Sequence, residues 1–140
     1  MFKTFIALID ETIKIVQQTD RFHLLIIISD GEIDQTLKSA HIAKLREVAK
    51  YPLSIVCIGV GDGSFEDMEK FDDQVEGRID IFNFVNYNKV TKSNNPDEQL
   101  MLQTLMEVPD HYMSAQTRLG YKPKYGPLVG KMVHSPPPYA

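Results

Sequence analysis

Leu24-Leu25-Ile26-Ile27-Ile28-Ser29-Asp30-Gly31 is the stretch on which the fold turns. Five consecutive aliphatics, three of them β-branched, run directly into a serine, an aspartate and a glycine. The run is too short for a buried helix and is closed by a turn signal, so it reads as a strand of a parallel sheet, buried on both faces. Burial of five such side chains is worth about 10 kcal/mol before chain entropy is subtracted. Asp30 then stands at the carboxyl end of a central strand, where open α/β sheets bind ligands.

Working outward, Leu53-Ser54-Ile55-Val56-Cys57-Ile58-Gly59-Val60 repeats the pattern and exits through Gly61-Asp62-Gly63. Between the two runs, Thr36 to Lys50 carries Leu37, Ala40, Leu45, Val48 and Ala49 at helical spacing. Strand, helix and strand make a βαβ unit. Upstream, Phe5 to Gln18 is a helix with Phe5, Ile9, Ile13 and Val16 on one stripe, widened by Ile6 and Leu8. Downstream, Phe65, Met68 and Phe71 mark a short helical piece, and Ile79 to Tyr87 a third, aromatic-rich strand. Asn95-Pro96-Asp97-Glu98 starts a helix, with Asn95 as cap and Glu98 completing a capping-box-like arrangement. Its inner stripe is Leu102, Leu105 and Met106. Pro109 interrupts it, and a further helix runs from Asp110 to about Leu119, stopped by Gly120. From Tyr121 the chain turns rich in proline and glycine without apolar periodicity. Residues 1–120 are therefore expected to form the domain, and 121–140 an extended proline-rich tail.

One hundred and forty residues suit one domain, and a net charge of −4 argues against a nucleic-acid partner. The single Cys57 excludes a disulfide framework and a cysteine-built zinc site, and it points to a reducing, cytoplasmic setting. No apolar run reaches membrane-spanning length, and the N-terminus does not read as a signal peptide. Gly59-Val60-Gly61-Asp62-Gly63-Ser64 follows a strand but lacks the third glycine of a dinucleotide fingerprint, and a tight strand exit explains it better. Asp30, Glu32 and Asp34 gather three carboxylates of the kind that hold Mg²⁺ or Ca²⁺, yet on spacing alone a solvated turn explains them. The four histidines show no ligand spacing, and no Ser-His-Asp order is legible, so nothing in the residues points to an enzyme.

Several stretches together carry a resemblance. Phe22 to Gly31, Tyr51 to Val56, Ile58 to Gly63, Met68, Phe71-Asp72-Asp73, Phe82 to Tyr87 and Leu105 to Pro109 resemble the copine-type von Willebrand A (vWA) domain, nearest to the version carried by plant RING-type ubiquitin ligases. The resemblance covers Phe5 to Tyr112 and implies a doubly wound parallel α/β sheet, of which this chain looks like the C-terminal part. It also implies a metal-ion-dependent adhesion site (MIDAS) at the strand ends. Of that site's ligands only Asp30 carries over. The Asp-x-Ser-x-Ser motif is absent, and the position matching the threonine ligand is Lys3, with Thr4 one residue away. The expectation is a degenerate site with at best weak Mg²⁺ or Ca²⁺ binding. Copines are a calcium-dependent phospholipid-binding family, and the ligases carry a RING. Neither their lipid-binding domains nor a RING is legible in this sequence, so those activities do not transfer.

The reading that results is a non-enzymatic protein–protein interaction module. Its alternatives are an accessory subunit of a ubiquitin-ligase or calcium-signalling assembly whose missing half lies on another chain, and an incomplete gene product. In the family the strand matching His23–Ser29 pairs with one that is absent here, which implies an open edge and self-association along it. Finally, Pro136-Pro137-Pro138-Tyr139 resembles the Pro-Pro-x-Tyr ligands of WW domains, with Pro136, Pro137 and Tyr139 as the contact residues.

Overall fold

A computed structural model describes residues 2–30, 38–61, 65–66, 68–69 and 81–123, with the side chains of 2–4 and 38 outside the description. Within it, helix α1 (Phe2–Thr19) precedes strand β1 (His23–Ser29), helix α2 (Lys38–Val48) and strand β2 (Leu53–Gly59). Strand β3 (Phe82–Asn86) follows, and then helices α3 (Tyr87–Val90), α4 (Pro96–Leu105) and α5 (Val108–Leu119). The three strands form one parallel sheet in the order β1-β2-β3. The α/β fold expected from the sequence is therefore present as a three-stranded parallel sheet flanked by helices, consistent with part of a vWA-like fold.

Alternation along β2 feeds two cores. Leu53, Ile55 and Cys57 meet Ile9, Ile13 and Val16 of α1 and Leu45 and Val48 of α2 on one face. Val56 and Ile58 join Val85, Val90 and Leu100 on the other. All seven residues of β2 are buried, so the hydrophobic gain assigned to an interior strand belongs here in full. Strand β1 departs from expectation. Leu25 and Ile27 pack into the first core and Leu24 reaches the second, but Ile26 is 46% and Ile28 69% exposed. On that face α5 lies over β2 and α4 over β3, and no described helix lies over β1. The apolar run made β1 a strand; at the edge of the described sheet, half of one face has no described element over it.

Other boundaries shift for local reasons. The third strand ends at Asn86 rather than Tyr87, because the Asn86 side chain accepts from the Asn88 N–H and caps α3, drawing Tyr87 into a helix; Ile79 lies outside the described residues. In α2 the inward position is taken by His41 rather than Ala40, which is exposed. In α1 Leu8 faces out. Asn95 makes no side-chain cap; its amide donates instead to Glu98 at 2.6 Å. The stripe assigned to α4 is reversed: Leu102, Leu105 and Met106 are exposed, as is Met101, while Thr104 is buried and Leu100 enters the second core. The main-chain carbonyl of Gln103 accepts from the Asn83 amide at 2.8 Å, which fixes that face of the helix against β3. Pro109 sits in the first turn of α5 rather than before it, where its missing N–H costs nothing. Phe71, the loop at 72–77 and the turn carrying Glu32 and Asp34 lie outside the described residues.

Tyr121, placed in the tail by composition, packs on the folded body. Its hydroxyl accepts from the Phe22 N–H at 3.0 Å, and its ring meets those of Tyr112 and Phe22.

Candidate functional site

The carboxyl ends of the strands gather the polar groups of interest. Asp30 is exposed just beyond β1. Beside it, Gly61 leaves β2 with φ +96°, and a Cβ built there would lie 3.9 Å from the Asp30 Cβ. Gly61 therefore serves the tight exit that the sequence suggested, in a backbone region costly for other residues. Two residues earlier, a Cβ on Gly59 would stand 2.9 Å from the rings of both Phe65 and Phe84, so the exit is packed as well as turned. The Gly61 carbonyl accepts from the Asn88 amide, tying this turn to α3.

The next acid in this region is Glu69. Its carboxylate accepts from Lys89 Nζ at 2.6 Å and from the Asn86 amide at 3.4 Å. The hydrogen bond from Lys89 is the main cause holding the Glu69 carboxyl below its ordinary range. Glu69 is thus committed to a lysine. Among the described residues no cluster of three or more histidines, cysteines or acids is placed to hold a cation. Among the described residues Asp30 is the carboxylate not committed to a lysine here, and one oxygen-donor residue does not make the six-fold or higher oxygen shell a hard divalent ion requires. The donor set in the described residues does not fit a complete adhesion-site metal. The Lys3 and Thr4 side chains, Glu32 and Asp34 lie outside the description, as do Pro136, Pro137 and Tyr139.

A second constellation went unread in the sequence. Ser54 of β2 and His111 of α5 share a hydrogen bond of 2.5 Å between Oγ and Nδ1. The Glu107 carboxylate lies 3.7 Å from His111 Nε2. The direction of the Ser54–His111 hydrogen bond is set by the imidazole tautomer. The trio has the components of a hydrolase triad, but Ser54 is wholly buried and His111 nearly so. No substrate reaches the hydroxyl in this conformation, and what the trio does is fasten α5 to the middle strand. The pair is separated by 57 residues, with no short motif to betray it.

A parallel sheet with helices on both faces, closed at its carboxyl end by Asp30 and a glycine turn, defines the chain as part of a vWA-like α/β domain. Sequence comparison names the branch. The family model described as Copine matches residues 3–124, and the chain belongs to the copine family. It is 38% identical over 110 residues to Copine family protein 2 of Caenorhabditis elegans, covering 77% of this chain and 1% of that protein. It is 35% identical over 147 residues to E3 ubiquitin-protein ligase RGLG4 of Arabidopsis thaliana, covering 94% and 36%. With RGLG2 of the same plant the identity is 31% over 151 residues, covering 92% and 32%. The chain spans about a third of the plant relatives and far less of the nematode one. Among the described residues, no helix is long and apolar enough to cross a membrane.

Proposed function

We propose that the chain is a non-enzymatic protein–protein interaction module of the copine type, with a degenerate metal-ion-dependent adhesion site. The observation that carries this reading is the outer face of α4. Met101, Leu102, Leu105 and Met106 are all exposed there, at a spacing that makes them neighbours on one helix surface. A contiguous apolar patch rimmed by polar residues marks an interaction site, and methionine suits a surface that adapts to its partner. In the test, a partner captured in stoichiometric amount by the intact chain is offered to the Leu102→Glu/Met106→Glu variant. Loss of the complex with unchanged circular dichroism is expected; an unaltered complex would remove α4 from the reading.

The relatives favour a second reading, an accessory subunit of a ubiquitin-ligase assembly, since RGLG2 and RGLG4 bear the name E3 ubiquitin-protein ligase. It requires an obligate partner chain, whereas a module tolerates the free protein. A calcium-signalling assembly is the other setting for such a subunit.

Asp30 is the one ligand proposed for a cation at the strand ends. Calorimetric titration with Mg²⁺ or Ca²⁺ is expected to give millimolar affinity at best. Micromolar binding abolished by Asp30→Ala would show the adhesion site to be intact. For Pro136, Pro137 and Tyr139 the proposed partner is a WW domain, bound through a polyproline II turn with the tyrosine as anchor. Binding that Tyr139→Ala leaves intact would rule it out. A cytoplasmic setting accords with these partners and with the buried thiol of Cys57.

A further inference from the structure

We propose that a cavity at the amino end of the sheet is a binding site for a small organic phosphate monoester. The site is separate from the α4 face and goes beyond the interaction-module reading.

The cavity has a volume of about 420 Å³, within the range of roughly 300–1,000 Å³ usual for small-molecule sites. Its walls are the last turn of α1 with Asp20, the turn between α2 and β2, and the end of α5 with the residues after it. All of these walls lie within the described residues. Pro52, just before β2, places the cavity at the end of the sheet opposite Asp30, so it is no part of the adhesion site.

The donors on its walls are uncommitted. The carboxyl ends of the helices draw basic side chains to this end of the molecule, and Arg118 is spent there on the Ala49 carbonyl. Lys50 and Lys122 are not spent: both are exposed, and neither ammonium makes a hydrogen bond or ion pair among the described residues. The two tyrosines of the wall accept rather than donate. The Tyr51 hydroxyl accepts from the Gln17 amide at 3.4 Å, and the Tyr121 hydroxyl from the Phe22 N–H at 3.0 Å. Each phenol therefore keeps its own proton for a further acceptor. Asp20 is the single acid in the lining, so the wall carries a net positive charge.

That inventory selects the ligand. Two free ammoniums and two phenolic protons call for a compact, acceptor-rich dianion. A phosphate monoester carries about 1.5 to 2 negative charges at pH 7 and three acceptor oxygens. Val16, Pro52 and Leu119 add an apolar wall, which an inorganic ion leaves unused and an organic group covers.

Calorimetric titration of the full chain with phenyl phosphate tests this, beside phenol, inorganic phosphate and a short peptide centred on phosphotyrosine. Phenyl phosphate is expected to bind, and inorganic phosphate and phenol about tenfold or more weakly. Lys50→Met/Lys122→Met should weaken phenyl phosphate about tenfold or more, with circular dichroism unchanged because neither ammonium holds the fold. Asp20→Asn should tighten binding, since it removes the charge opposing the anion; asparagine suits the left-handed backbone there, φ 51°. A peptide that binds more tightly than phenyl phosphate assigns the monoester to a partner protein; equal or weaker binding assigns it to a free small molecule. Absence of binding, affinity indifferent to the lysines, or inorganic phosphate matching phenyl phosphate, an adventitious ion only, would overturn the proposal. None of those results touches the α4 test, so the two readings fail separately.

Discussion

Strands β1 and β2 are equal in length, paired residue for residue, and similarly apolar. Yet β2 is buried throughout, while β1 leaves Ile26 and Ile28 to solvent. The difference lies in neighbours. Among the described residues, β2 has a strand on each side and helices above and below, whereas β1 has one strand, and helices over one face alone. Hydrophobicity made both into strands, and only position decided whether that hydrophobicity stabilises the fold or remains available for another surface.

The largest test of this contrast is a matched pair of truncations. Ile55→Ala removes a fully buried side chain of β2 and should cost about 2–5 kcal/mol, a large fraction of a typical domain's stability. Ile26→Ala in β1 should stay within about 0.5 kcal/mol. Urea titrations of the two variants measure the gap; equal losses would break the contrast. A smaller effect is expected from Ser54→Ala, which leaves buried His111 Nδ1 without its hydroxyl partner. The expected loss is about 1–3 kcal/mol, read as a lowered midpoint. A loss near zero would mean that the Ser54–His111 link contributes little to holding α5 on β2. The smallest effect belongs to the exposed rim. Glu69 has its carboxyl pKa lowered from 4.5, chiefly by the hydrogen bond from Lys89. A depressed acid stabilises the fold above its unfolded pKa and loses that contribution as pH falls through the folded one. Lys89→Met should therefore cost no more than about 1 kcal/mol near neutral pH, with the difference from the parent vanishing in acid and shrinking in salt. A difference that persists in acid would assign it to packing instead.

How much of this was legible follows from what each signal reports. The runs at 24–28 and 53–60 announced their strands because burial there is dense and local. Gly120 and Pro96 announced the end of α5 and the start of α4 through backbone chemistry alone. The α4 stripe misled because Leu102, Leu105 and Met106 do form a stripe, but periodicity reveals that a face exists and not which way it points. Buried Thr104 and the Gln103 carbonyl, held by Asn83, set the orientation. Ser54 and His111 escaped for want of proximity in the chain. Asp30 was legible as a strand-end acid, while the commitment of Glu69 to Lys89, twenty residues on, was not.

The hydrogen bond from the Phe22 N–H to the Tyr121 hydroxyl links positions 99 residues apart. Mechanically it is a clasp. Tension that arrives at Tyr121 is divided between one hydrogen bond and the edge-on and tilted ring contacts with Tyr112 and Phe22. The parallel strands behind them bear load only after the clasp opens. A pull at Tyr121 would thus be felt at the root of β1, at the opposite end of the sheet from Asp30.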